Sequence, residues 1–487
     1  MAQTERPAAR DAEAKEVLRW LAHEDDCPDL DAEGACARLG EAIRFDTRNS
    51  DPERADWSEF DRLHDWMRAS FPHVMEAGTF EVVARGSVLI TLPGSDGTLR
   101  PALLMAHQDV VPVVAGTEGD WTHPPFSGAV DADFVWGRGS MDIKEMMTAE
   151  LEAVEYLLSR GERLRRTLYL AFGEDEESFN TGSDAIGRLL ESRGVELEYV
   201  WDEGGCTVGD GARFGAPGVP FIAIELSEKG YVDLELTVRS AGGHSSNPFG
   251  GTSLGILSQA VARIVENPFP VRLSDLAAAM FKALAPHITE EPFRSLTGAA
   301  GELVDANRDA IAQACAASPE LFPYVTTTIA PTMVEGGSQQ PNVMPQDMRA
   351  VVNFRLAPGT TVEDVVAHCR EAVGDLPVEF RVLQGNDASA EGRSDGYGFE
   401  RLSCALGRYF RDPATSEPVV FVPSISRGAT DAHNYERVCD TCMRFAPFLA
   451  TEAEEARGIH GTDERLLRRS YAQGIRAIIR MVEETCL

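Results

Sequence analysis

The stretch "LYLAFGEDEES", Leu168 to Ser178, decides the fold. An apolar run of strand length stops at Gly173, and four carboxylates follow without a break: Glu174, Asp175, Glu176 and Glu177. A short continuous apolar run suits a strand buried on both faces, as in a parallel sheet. Like charges repel at its end, so the fold must supply something to hold them. Two other runs end in the same way. "ALLMA" leads into His107-Gln108-Asp109, and "YVW" leads into Asp202-Glu203. Helical spacing lies between the runs. Met147, Leu151, Val154, Leu157 and Leu158 share one side of a helix predicted from Met141 to Ser159, and a second helix is predicted from Ser183 to Arg193. Strands alternating with helices predict an α/β layer with a mostly parallel, mixed sheet flanked by helices.

Working outward, the chain before residue 80 reads as amphipathic helices, with Val17, Leu18 and Leu21, and later Phe60, Leu63, Trp66 and Met67, at helical spacing. "GSDG", between "FEVVARGSVLITLP" and "RPALLMAHQDVVPV", is a hairpin signal. The texture changes near Glu228. "GYVDLELTVRS" alternates with period two, as a half-exposed antiparallel strand does, and "RAVVNFRL" repeats the pattern. Helices are predicted from Ser253 to Val265 and over "TVEDVVAHCREAV". The expected organisation is a first domain made of 1–228 and 386–487, with a smaller α+β domain and its antiparallel sheet inserted at 229–385. An amphipathic helix carrying Tyr471, Ile475, Ile478, Ile479 and Val482 closes the chain.

Composition excludes several classes. Of 487 residues, 43% are hydrophobic and 25% charged, as in globular proteins. The net charge of −33 repels nucleic acid and anionic membrane. No apolar run reaches the roughly 18 residues of a membrane span. The first residues, "MAQTERPAARDAEAKE", have no apolar signal-peptide core, so a cytoplasmic location is expected. Nine cysteines without framework spacing fit reduced thiols. Among them "CDTC" (Cys439, Cys442) is half a redox or metal motif, and without a second pair it reads as idle thiols.

In open α/β sheets, ligands bind beyond the carboxyl ends of the strands. Three strand ends therefore bring His, Asp and Glu to one rim. "WGRGSMDIKEMM" adds Asp142 at a helix start, and "GIHGTDERL" adds His460 on a glycine-flanked loop. Imidazoles and carboxylates without thiolates suit zinc, with cobalt or manganese as alternatives. A pair of dications sharing one carboxylate would offset the repulsion in the acidic run. Residues two apart on a strand point the same way, so Asp109 is expected behind His107, orienting its ring. Taken singly, the acidic run also reads as a solvated helix N-terminus, and His107 as a structural histidine.

The motifs "LLMAHQDVVPV", "WTHPPFSG", "WGRGSMDIK", "AFGEDEES", "WDEGG", "GGHSS", "NVMPQDMRAVVNFRL", "GATDAHNY" and "GIHGTDE" follow one another in order. Over roughly residues 85 to 480 the chain resembles the di-zinc aminoacylase and carboxypeptidase family, which includes glutamate carboxypeptidase, succinyl-diaminopimelate desuccinylase and aminoacylase-1. Its proline-rich motif and long N-terminal region are most similar to the Gly-X carboxypeptidase and N-fatty-acyl amino acid hydrolase branch. The resemblance implies two Zn2+ ions, with Co2+ or Mn2+ as substitutes. It implies Asp142 as the bridge, His107 and Asp202 completing one site, and Glu177 and His460 completing the other. Glu176 is implied as general base and Asp109 as the support of His107. The inserted domain is implied to be a lid that forms a homodimer, with His244 reaching the partner's active site. Asn342, Arg355 and Gly428 are implied to hold the substrate's carboxylate end.

The implied reaction is hydrolysis of an amide bond next to a free carboxylate, in a peptide C-terminus or an N-acyl amino acid. A strict dipeptidase, a desuccinylase or deacetylase, and a non-catalytic dimeric binding protein are the competing readings. Four positions depart from the common pattern. They are Ile143 in place of a second Asp, Glu145 in place of Gly, His433 in place of Arg or Lys, and Asp463 in place of Asn. Glu145 is expected to be tolerated at a helix start. Of Glu174 and Asp175, one is expected to face solvent. His123 is expected to brace a loop, and His64 and His73 to be ordinary.

Overall fold

The computed structural model describes residues 17–21, 26–51, 53–205, 207–451 and 458–487. The polar segment 1–16, read above as lacking a signal-peptide core, lies outside them. In chain order the strands are β1 (Thr79–Val83), β2 (Ser87–Leu92), β3 (Ala102–His107), β4 (Ala129–Val130), β5 (Phe134–Trp136), β6 (Leu168–Gly173), β7 (Tyr199–Asp202), β8 (Gly209–Asp210) and β9 (Pro220–Glu228). They continue with β10 (Gly230–Arg239), β11 (Gly243–His244), β12 (Thr328–Gly336), β13 (Val343–Met344), β14 (Asp347–Leu356), β15 (Glu379–Asn386), β16 (Val420–Ser426), β17 (Cys442–Arg444) and β18 (Arg465–Leu467).

The large sheet runs β1-β2-β6-β3-β7-β17-β9-β16, with β8 on β9. Its centre, β6-β3-β7, is parallel, and His107 lies in register with Gly173. Every residue of β3 and β6 is buried, which is why both read as unbroken apolar runs. Alternate residues enter two cores. Leu104, Leu170 and Phe172 pack with Met147 and Leu151 of the helix Lys144–Ser159. Leu103, Met105, Tyr169 and Ala171 pack with Ile186 and Leu190 of the helix Thr181–Ser192. The closing helix, Arg468–Cys486, lies against the helix Lys144–Ser159. Among the described residues no helix is long and apolar enough to cross a membrane.

The hairpin expected at "GSDG" does not form. β2 pairs with β6, which stands between β2 and β3. The turn residues bond instead to the segment before β6, Ser95 N to Leu164 O at 3.0 Å and Asp96 N to Arg165 O at 2.9 Å. The hairpin partner of β2 is β1, through a turn in which Ala84 adopts a φ of +54°.

The second sheet, β12-β14-β10-β15, is antiparallel. β10 and β14 alternate buried and less buried residues, and their inner faces pack on the helices Ser253–Glu266 and Val362–Val373. Leu273 to Val325, with helices Asp275–Leu284 and Arg308–Ala316, buries its apolar side chains with the large core. The cause is local. Phe281 meets Phe214 edge-on at 5.7 Å, beside β9, so this segment has its apolar partners on the first sheet.

Candidate metal centre

The acidic run after β6 divides its carboxylates between two tasks. Glu174 turns back, and its Oε2 accepts the amides of Gly86 and of Ser87, the latter at 2.6 Å. Asp175 accepts the amides of Thr181 at 3.0 Å and Gly182 at 2.8 Å, at the positive end of the helix Thr181–Ser192. Both are buried, so neither faces solvent as one was expected to. Gly173 leaves room for Asp431, whose Oδ2 would lie 2.4 Å from a Cβ added there. Glu176 and Glu177 are left to face the rim.

Two groups of potential ligands converge there and share one residue. His107, Asp142 and Glu203 place a ligand atom each within 4.8 Å of one another, and so do Asp142, Glu177 and His460. Asp142 divides its oxygens between them. Oδ1 lies 3.1 Å from His107 Nε2, and Oδ2 lies 2.9 Å from His460 Nε2. His460 Nε2 is also 3.0 Å from Glu177 Oε1. The Asp142–Ile143 peptide is cis, and His460 has a φ of +61°. Behind His107, Nδ1 donates to Asp109 O at 3.0 Å and lies 3.4 Å from Asp109 Oδ1. The Asp109 carboxylate also accepts the amides of Glu176 at 3.1 Å and Glu177 at 3.2 Å. One buried acid thus orients an imidazole and aims the acidic pair.

Asp202, read from the sequence as a ligand, has both carboxylate oxygens on backbone amides. Its Oδ1 accepts Glu203 N at 2.8 Å and its Oδ2 accepts Ala432 N at 2.9 Å. The next residue, Glu203, brings Oε1 to 3.7 Å from His107 Nε2 and belongs with His107 and Asp142 to one candidate ligand group. Glu203 lies just past the end of β7, where its side chain turns towards His107 while both Asp202 oxygens are taken by backbone amides. The signal was present in "WDEGG" as two adjacent acids, but it did not say which of them faces the rim.

The electrostatics describe an anionic cradle. Burial pushes the Glu176 carboxyl well above its ordinary range; nearby His107 opposes this, while Asp431, Glu177 and Asp142 reinforce it. Burial likewise raises Glu203, against His107 and with help from Glu176 and Asp142. Hydrogen bonds that His460 donates to Asp142 and Glu177 push it up to about 10. Burial works against a charged His107, but Asp109 and Asp142 hold it well above its ordinary value. Without a cation, burial holds Glu176 and Glu203 towards the neutral form while their carboxylate neighbours hold both rings towards the charged form, and a divalent cation would relieve both. This all-nitrogen-and-oxygen set, divided by one shared carboxylate, therefore fits divalent cations.

The remaining predicted residues lie on the second sheet and its neighbourhood. His244 is exposed on the short β11–β13 ladder. Asn342 is exposed too, and its carbonyl accepts Ser245 N at 3.0 Å. Arg355 stacks its guanidinium over Tyr231, 4.7 Å from the ring centre, with Nη1 3.4 Å from Arg427 O. Gly428, the next residue, donates its N–H to Ser426 Oγ at 3.2 Å. His433 Nδ1 donates to Thr430 O at 2.6 Å. His123 packs its ring 5.2 Å from Trp136. His64 bonds Gln108 Oε1 at 2.8 Å, bracing the turn after β3. Glu145 is buried, and burial raises its carboxyl well above the ordinary range. It stands in the first turn of the helix Lys144–Ser159, as an interior group.

A paired cradle at the carboxyl rim of a mixed sheet defines a binding centre for divalent cations. The chain belongs to the peptidase family M20/M25/M40, whose model matches residues 103–484, and it is a metallohydrolase. It is 33% identical over 451 residues to the human N-fatty-acyl-amino acid synthase/hydrolase PM20D1, covering 91% of this chain and 86% of the relative. It is 30% identical over 457 residues to a probable carboxypeptidase S-like 2 of Dictyostelium discoideum, covering 92% and 84%. In fold it is similar to an M20 family metallo-carboxypeptidase of Sulfolobus solfataricus. There the TM-score is 0.61 at 17% identity, covering 92% of this chain and 98% of the other.

Proposed function

We infer that the protein is a homodimeric hydrolase of amide bonds adjacent to a free carboxylate, acting on peptide C-termini or N-acyl amino acids with two Zn2+ ions. The observation that carries this reading is the division of Asp142 between two ligand groups, with Glu176 beside them. His107, Asp142 and Glu203 would hold one ion, and Asp142, Glu177 and His460 the other. When bound, zinc supplies Lewis acidity to the scissile carbonyl and acidifies water from about 15.7 towards ~7.

The chain's own residues do the rest. Glu176 takes the proton of the attacking water and delivers it to the leaving nitrogen, so one carboxylate serves as base and then acid. Asp109 fixes the Glu176 backbone through its amide. Arg355 offers a planar fork to the substrate carboxylate, which it can bind by two parallel hydrogen bonds. Asn342 and the backbone at Gly428 complete that end of the pocket. Ser246 N donates to His244 Nδ1 at 3.1 Å, so the neutral ring carries its hydrogen on Nε2, free to donate to a developing oxyanion.

The dimer reading rests on the second sheet. β12 is an edge strand on which Met333 and Val334 are 55% and 68% exposed. With Leu254, Val261 and Val265 they line an apolar groove of about 610 Å³. An exposed apolar edge invites pairing with a second strand. A second copy of the chain would cover it and carry an otherwise solvent-facing His244 towards its neighbour.

The test couples metal analysis to hydrolysis of N-acetyl, N-long-chain-acyl and glycyl amino acids, with and without chelator. The expected result is two ions per chain and cleavage that stops on chelation and returns with Zn2+. Cleavage indifferent to chelator, or equal cleavage of amides lacking the carboxylate, would overturn the reading.

A further inference from the structure

We propose that Arg138 and Glu464 are positioning residues, a reciprocal clamp that sets the distance between the two halves of the cation cradle. Asp142 and His460 sit on different loops, 318 positions apart in the numbering, yet both loops leave one ladder. β5 and β18 pair antiparallel, Trp136 with Arg465 and Phe134 with Leu467. Beyond the ladder each loop contributes one charged side chain that grips the backbone of the other. Glu464, on the His460 side, accepts through Oε1 the amides of Gly139 at 2.9 Å and Met141 at 2.8 Å, the second of these immediately before Asp142. Arg138, on the Asp142 side, donates through Nη2 to Gly461 O at 3.2 Å, immediately after His460. Arg138 Nη1 and Glu464 Oε2 join the two grips in a salt bridge. A backbone bond from Gly137 N to Glu464 O at 2.9 Å closes the base.

Both side chains are buried, Arg138 to 2% and Glu464 to 0% exposure. A buried ion pair is a poor device for stability alone, because desolvation offsets most of the attraction. It is a good device for holding two backbones at one separation, since each charge accepts or donates several directed bonds. Neither residue belongs to the two ligand groups, so the clamp acts through Asp142 and His460. Outer partners of metal ligands commonly change affinity by about 10–100-fold when altered.

The inference rests on the cradle holding a pair of ions. Its test uses the full-length protein stripped of metal and titrated with Zn2+ by calorimetry, and with Co2+ by its visible absorption. The variants are Arg138→Met, which removes the bond to Gly461, and Arg138→Lys, which keeps a positive charge beside Glu464 but loses the fork. Glu464→Gln keeps one acceptor and loses the charge. The expected result is that apo-protein unfolding midpoints stay near wild type in Arg138→Lys while the weaker of the two ions binds at least 10-fold less tightly. The cobalt spectrum changes with it, and Arg138→Met shows the larger loss. Folded variants that bind both ions with wild-type affinity and an unaltered cobalt spectrum overturn the clamp. If Arg138→Met and Glu464→Gln fail to fold, Arg138→Lys alone decides between the two outcomes. Wild-type protein that binds no divalent ion would sink the cradle itself, a different failure from that of the clamp.

Discussion

At the rim of the large sheet, Glu174, Asp175, Asp109 and Asp202 are buried, and each has backbone amides to accept. On the second sheet, His244 and Asn342 stand in solvent, and the edge strand β12 presents Met333 and Val334 outward. The first region is a finished electrostatic object within one chain. Its supporting acids are satisfied by protein, and the acids left over surround the cation sites. The second region carries polar groups of the right chemistry with nothing yet to act upon. On the proposed reading the contrast divides the reaction: proton transfer and cation binding fall to groups gathered within one chain, and closure over the substrate falls to a surface that a second copy would cover.

The sharpest way to break the first half of this contrast is Glu176→Ala. The cradle ligands and the Asp109 grip on the backbone remain, so cation content and affinity stay near wild type. Loss of the proton carrier lowers kcat by about 10²–10⁴-fold, measured beside metal content on the same preparation. A variant with full cation content and unchanged kcat would move the proton transfer to another residue.

The second half is tested by mixing. His244→Ala and Glu176→Ala are each inactive as homodimers on this reading. Random exchange makes about half of the dimers hybrids, each with one complete site if the histidine acts across a twofold axis, so roughly a quarter of wild-type activity returns. No return on mixing, with hybrids verified by differently tagged subunits, would confine His244 to its own chain or remove it from the reaction.

The contrast also explains what could be read from the sequence. β3, β6 and β7 were legible because strands buried on both faces must be apolar throughout, and their polar ends stand out. The period-two pattern of β10 and β14 was legible for the complementary reason. The placement of Asp202 and Glu203 was not, because Glu203 lies past the end of β7, where strand alternation no longer fixes the direction of a side chain. "GSDG" misled because its turn residues find their partners at Leu164 and Arg165, some 70 residues on. The helices between Asp275 and Ala316 were missed for a similar reason. Their apolar residues face the first sheet, a long-range contact that no local periodicity announces. Glu464 was passed over because nothing in "TDERL" marks one acid as the grip on a distant loop.

The smallest effect expected is at Asp463, read from the sequence as standing in place of Asn. Its Oδ1 accepts Thr122 N at 2.5 Å and its Oδ2 accepts the Thr122 hydroxyl at 2.8 Å, which ties the loop before "HPPF" to the loop of His460. Asn can keep both contacts. Its oxygen accepts the amide, and its NH2 donates to the hydroxyl, which reverses its own role because Ser and Thr hydroxyls both donate and accept. What Asp463→Asn loses is a charge on a partly exposed group, where charge-assisted bonds are screened. The unfolding midpoint should therefore fall by no more than about 2–4 °C, with cation affinity unchanged. Arg138→Lys should do the reverse and weaken cation binding at near-constant stability. A large loss of cation affinity in Asp463→Asn would show that the outer loop, and not the buried pair, governs where His460 stands.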